Sequence, residues 1–280
     1  MNSLNKSIKV LLGIITVSFI AFTFFTSCQK DKLVKKDNKF NYEEVGIQHN
    51  KGLDFVYNYL SVQKTKENLI NAKNILTISE QGTYKFLQEN NLLIDKNVDI
   101  AIKEASVPFK IYKSNLQNNL KSGNLEHLWP DNVDSLLTNI QKQYLNELND
   151  IINNYQNNLN AMLSEINKLE VNINENVSVN EQPILLSSCA IARHSFQYWH
   201  DNIDKWNELL SNSPLKSTKS FSWGEVGKND VAYGVGGGVA GAIVGGSVSI
   251  GVLTLPGWAA GAIGGAVGGS IGNAILQLWN

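Results

Sequence analysis

Residues 231–280 read VAYGVGGGVA GAIVGGSVSI GVLTLPGWAA GAIGGAVGGS IGNAILQLWN. They contain no Lys, Arg, Asp or Glu, yet they hold 15 of the chain's 22 glycines. Pro256-Gly257 divides them into two nearly equal arms. In the second arm Gly257, Gly261, Gly265 and Gly269 recur every four residues, and Gly264, Gly268 and Gly272 form a second row beside them. Gly237, Gly241 and Gly245 repeat the spacing in the first arm. Positions i and i+4 share a helix face, so each row is a groove that another backbone can approach closely. The pattern predicts a glycine-zipper helical hairpin that turns at Leu255-Pro256-Gly257.

At about 1.5 Å per residue each arm is long enough to cross a hydrocarbon layer of about 30 Å. Tyr233 and Trp279 mark one level of such a layer and Trp258 the other. Glycine costs a helix about 1 kcal/mol per residue against alanine, so pairing of the grooves must supply the missing stability. Three settings do this: a bilayer, a second copy of the chain, or the chain's own helices.

The N-terminus carries an address. Lys6 and Lys9 precede an apolar run from Val10 to Phe25, which ends at Thr26-Ser27-Cys28. A basic start, a short apolar core and small residues at the break make a secretory signal. Phe25-Thr26-Ser27-Cys28 resembles the lipobox of bacterial lipoproteins, and departs from it at Phe25 and Ser27. The resemblance implies that Cys28 is the lipidated first residue of the mature protein. Gln29-Lys30-Asp31-Lys32 looks like the charged tag that sends Bacteroidota lipoproteins to the outer face of the outer membrane. Residues 33–42 are polar and lysine-rich and read as a tether.

Net charge is −1 for the whole chain, and −3 without the signal, which holds two lysines and no acid. That gives no basic field for nucleic acid. The two cysteines are Cys28 and Cys189; with the first acylated, the second has no partner within the chain.

From Ile47 to Trp206 the apolar period is near 3.6. Val133, Leu137, Ile140, Tyr144, Leu148, Ile151, Tyr155, Leu159, Met162, Ile166 and Leu169 predict one long spine helix, with Asp131 as its N-cap. Asn172–Pro183 lacks the stripe and reads as a loop. Leu185, Ser188, Cys189, Ala192, Phe196, Trp199, Ile203, Trp206 and Leu210 predict a further helix, small residues first and anchoring aromatics later. The expected fold is therefore all-α: a helical bundle with one long spine helix, plus a C-terminal glycine-zipper helical hairpin. Its divisions are a signal peptide 1–27, a tether 28–42, a helical body 43–210, a linker 211–229 and the hairpin 230–280.

No catalytic or metal constellation stands out. Cys189, His194 and His200 do not share a helical face in a zinc spacing. Ser195 and His194 are adjacent, so on a helix they point apart. The glycines near Gly234 lack the lysine of a phosphate loop, and Asp230 reads as an N-cap. No cofactor is expected.

The chain as a whole looks like uncharacterised surface lipoproteins of Bacteroidota that join a helical body to a glycine-zipper tail. The likeness rests on residues 25–32 and 234–272. The tail is also similar to glycine-rich segments of other outer-membrane lipoproteins and of some membrane-active bacteriocins. The resemblance implies a lipid-anchored envelope protein, in the outer membrane and facing outward. The expected function is non-enzymatic: the hairpin mediates association with a lipid bilayer or self-assembly into a homo-oligomer. The alternative is a surface binding module for a protein or glycan partner, with the hairpin packed as part of its core.

Overall fold

The computed structural model describes residues 40–66, 72–92, 98–117, 125–210, 221–244, 247–250 and 253–279. The signal 1–27, Cys28, the tether to residue 39, Gly245 and the linker portion 211–220 lie outside the described residues. Among the described residues the chain is all-α apart from one short ribbon. Its helices are α1 (Glu43–Lys66), α2 (Ala72–Glu89), α3 (Val98–Gln117), a 3-10 helix (Asp131–Leu136), α4 (Asn139–Tyr155), α5 (Leu159–Asn176), α6 (Gln182–Leu210), α7 (Trp223–Val244) and α8 (Gly257–Trp279). Strands β1 (Ser247–Ile250) and β2 (Leu253–Pro256) pair antiparallel between α7 and α8, Ser247 opposite Pro256.

Helices α7 and α8 are the centre. Helix α8 packs on α1, α2, α3, α6 and α7, and is buried at every residue from Ala259 to Leu276. Its covering helices turn apolar faces inward: Leu53, Val56 and Leu60 from α1; Ile75, Leu76 and Phe86 from α2; Phe109 and Tyr112 from α3. Helix α6 buries Ser188, Ala192, Phe196, Trp199 and Trp206. Helices α4 and α5 pack on its outer side. Residues 42–280 form one compact unit, so the body and the glycine-rich end share a single core.

The all-α class is as expected; four boundaries differ. The stripe from Val133 to Leu169 is divided among the 3-10 helix, α4 and α5 rather than carried by one spine. Thr138 starts α4 with a capping box: its hydroxyl accepts from Gln141 N–H, and the Gln141 side chain accepts from Thr138 N–H. Asn158 starts α5, its side-chain oxygen accepting from Ala161 N–H. Both residues offer free N–H groups a local partner, which stabilises a fresh start against a continuous rod. The longest described helix is instead α6, with 29 residues.

The expected loop 172–183 is shortened to residues 177–181, because Ile173 continues the buried series Ile166, Leu169 and carries α5 on to Asn176, and α6 starts at Gln182. The expected linker 211–229 ends early: Trp223–Asn229 are the first turns of α7, with Ser222 accepting from Glu225 N–H at 3.3 Å. The first arm is not helical up to Leu255. It leaves the helix after Val244, and the alternating Ser247-Val248-Ser249-Ile250 and Leu253-Thr254-Leu255 form the ribbon. Pro256 therefore precedes α8 rather than ending α7.

Candidate functional site

The predicted glycine rows meet backbone to backbone. A methyl group on Gly237 would overlap the carbonyl oxygen of Gly261, and one on Gly261 the carbonyl oxygen of Gly237. Gly241 stands in the same way against Gly257, and Gly265 against the carbonyl of Tyr233. As the number rises on α7 it falls on α8, so the two helices run antiparallel. Any larger side chain here would drive the axes apart and lose the contacts along the seam.

Four other glycines face the body. Gly234 and Gly238 receive the Cδ1 atoms of Ile191 and Ile184, which would stand 2.7 and 3.2 Å from an added Cβ. Gly272 receives the Tyr112 ring and Gly236 the Pro130 ring. Gly269 lies under Tyr233, while Gly264 and Gly268 are buried. The same device recurs at glycines that belong to no row. Gly46 meets His194, Gly52 meets Val267 and Phe86, and Gly227 meets Phe196.

A polar node pins this apolar pair to its sheath. Asp230 lies inside α7, in its third turn, and is not the N-cap expected of it. Its Oδ2 accepts from the Ser195 hydroxyl of α6 and, at 2.9 Å, from the Ser270 hydroxyl of α8. Trp199 Nε1–H donates to Ser270 at 2.8 Å. His49 of α1 places Nε2 3.5 Å from the same carboxylate oxygen, and its Nδ1 lies 3.0 Å from Asn50 Oδ1. All four side chains at the centre, His49, Ser195, Asp230 and Ser270, are fully buried. At the residue just before Asp230, Tyr112 donates to Asn229 Oδ1 at 2.8 Å.

Burial pushes Asp230 well above the usual 3.8 of its carboxyl, against the two serine hydroxyls that stabilise the charge. Burial lowers His49 from 6.5 to about 4. Two isolated charges sealed in a core are costly, so the pair carries one proton between them and stays neutral overall. The residue types are those of a serine hydrolase, but the order differs. A nucleophilic serine must give its proton to the imidazole; Ser195 bonds to the carboxylate instead. Sealed from solvent, the node joins α1, α6, α7 and α8 and presents no nucleophile. Sequence spacing could not find it, because its members come from four helices. The one available signal was an acid standing at the edge of a charge-free stretch.

The other candidates fall apart as a set. Cys189 is buried, and burial raises its thiol pKa well above the ordinary value. His194 Nε2 lies 2.9 Å from Glu43 Oε2, beside Arg193, which bridges Glu43 and Glu170. This clasp ties the start of α1 to α5 and α6. His200 is exposed and lies against Asp201. Among the described residues no group of three His, Cys, Asp or Glu side chains is placed to hold a metal ion.

No protein-family model, no curated protein and no solved structure matches this chain.

Proposed function

We propose that this chain is a non-enzymatic lipoprotein of the cell envelope, held to a membrane by lipid on Cys28. Its helical body acts as a binding module for a protein or glycan partner, with the glycine hairpin as the core of that body. One observation supports the reading above the others: Gly237, Gly241, Gly261, Gly265, Gly269 and Gly272 are already covered by the chain's own backbone and side chains. A second copy finds no room at those six positions.

Two experiments test it. Cys28→Ser should abolish labelling by palmitate and move the protein from the membrane fraction to the soluble one. Removing residues 223–280 should leave a body without cooperative thermal unfolding. A truncated body that remains monomeric and unfolds in one sharp transition would overturn the core assignment.

A second reading is favoured by α8 itself. Gly257–Leu278 is 22 residues long, apolar and free of charge, so it has the length and composition of a membrane span. In that reading the hairpin is stored inside the body and enters a bilayer, or pairs with another hairpin, once α1, α2, α3 and α6 move away. Leakage of dye-filled vesicles on adding the intact protein would favour storage. Intact vesicles across lipid compositions would favour a permanent core.

A further inference from the structure

One end of the bundle gathers several distinct features. The tether joins the folded unit at Tyr42, whose ring centroid lies 5.8 Å from that of Trp258 in the first turn of α8. The β1–β2 ribbon leaves the helix pair at the same end, since Gly241 pairs with Gly257 there. Helix α6 begins there too, with Ile184 against Gly238, and Pro130 sits against Gly236. Thr138 donates to Glu181 Oε1 at 2.7 Å, which brings the α5–α6 turn beside the start of α4.

The described residues include six large exposed apolar side chains, and three of them belong to this end: Leu136 (53%), Ile140 (44%) and Val179 (76%). Val62 is at the opposite end of α1, near Lys64, whose ammonium reaches the Leu209 carbonyl at the far end of α6. The ribbon from Ser247 to Pro256 carries no charged residue.

We infer that this end of the bundle is a lipid-docking face, and that its occupant is the surface of the bilayer in which the Cys28 lipid is embedded. The inference rests on the anchor reading above. Residues 28–41 can span at most roughly 50 Å when fully extended, so the anchored protein is never far from the membrane, and the tether delivers this end first. A two-stranded ribbon has two outer edges whose N–H and C=O groups hydrocarbon cannot satisfy. The ribbon therefore rests among headgroups, with Trp258 and Tyr42 beside it as interfacial aromatics. Of the acids at this end, Glu43 is paired with Arg193 and Asp134 with Lys142, so they set no preference among headgroups.

The test uses the full-length protein isolated with its anchor and reconstituted into vesicles of phosphatidylcholine and phosphatidylethanolamine. Val179→Cys, Leu136→Cys and, at the opposite end, Val62→Cys are each labelled with a polarity-sensitive fluorophore. The parent protein serves as the blank, because Cys189 is sealed. Emission should shift to shorter wavelength, and be quenched by brominated lipid, at 179 and 136 but not at 62. Co-flotation with vesicles and equal signals at all three sites would overturn the docking face and leave the anchor standing. Failure of the parent protein to float would remove the anchor and the docking face together.

Discussion

At Gly237 the neighbouring atom is the carbonyl oxygen of Gly261, which belongs to a helix backbone and cannot swing aside. At Gly224 an added methyl would meet Gln156 Oε1 at 3.2 Å, the end of a flexible side chain. Alanine is the better helix former by about 1 kcal/mol, so at Gly224 that preference should show. Gly224→Ala is expected to be neutral or stabilising by up to about 1 kcal/mol. Gly237→Ala must push α7 and α8 away from each other, and overpacking of this kind costs roughly 1–3 kcal/mol or more. Urea denaturation of the two variants checks the ordering.

The node makes a prediction whose sign can be worked out. His49 is lowered by burial from 6.5 to about 4, so its contribution is complete above pH 6.5 and is lost as pH falls towards 4. Asp230 is raised by burial above 3.8, so its contribution is present at low pH and is lost as pH rises through its folded value. As pH rises from about 4 the two oppose each other. Asp230→Asn leaves the histidine alone. Its denaturation midpoint should rise more steeply above pH 4 than the parent's, in which the carboxyl opposes the rise. Subtracting the two profiles removes the titrations they share, and parallel profiles would refute the one-proton assignment.

At the scale of elements, the amphipathic helices were largely legible, because burial on one side leaves a 3.6-residue period in the sequence. Their ends were legible only where capping chemistry was weighed against that period. Thr138 and Gln141 form a Thr-x-x-Gln box inside an unbroken stripe, and the box determines the local structure. Thr138→Ala should therefore cost about 1 kcal/mol, while Thr138→Ser should change little; thermal melts of the two separate cap from side-chain size. Gly237, Gly241, Gly257 and Gly261 marked where α7 and α8 approach most closely. They could not give the ribbon, whose alternation is only four residues long, or the partners of the outer glycines. Gly272 under Tyr112 and Gly234 against Ile191 depend on which helices surround the pair. The node was illegible for the same reason: His49 and Asp230 are separated by most of the chain and meet only in the folded bundle.

At the scale of the whole molecule, an apolar hairpin reads alike in sequence whether lipid or protein surrounds it. Length, lack of charge and small-residue spacing are common to both settings, and only the sheath of α1, α2, α3 and α6 distinguishes them. That sheath also sets an order of events. Helices α1 to α3 emerge during synthesis ahead of the other described helices, and the surface they are shaped to cover is α8, much later in the sequence. Until that helix arrives, the leading ones have a greasy side and nothing to lay it on. The nascent chain must therefore be kept from clumping until α8 has been made. A ribosome that stops before residue 257 releases a product that cannot close, marked for proteolysis by its own exposed flank. The fold thus carries a built-in check that the message was read through to its central helix.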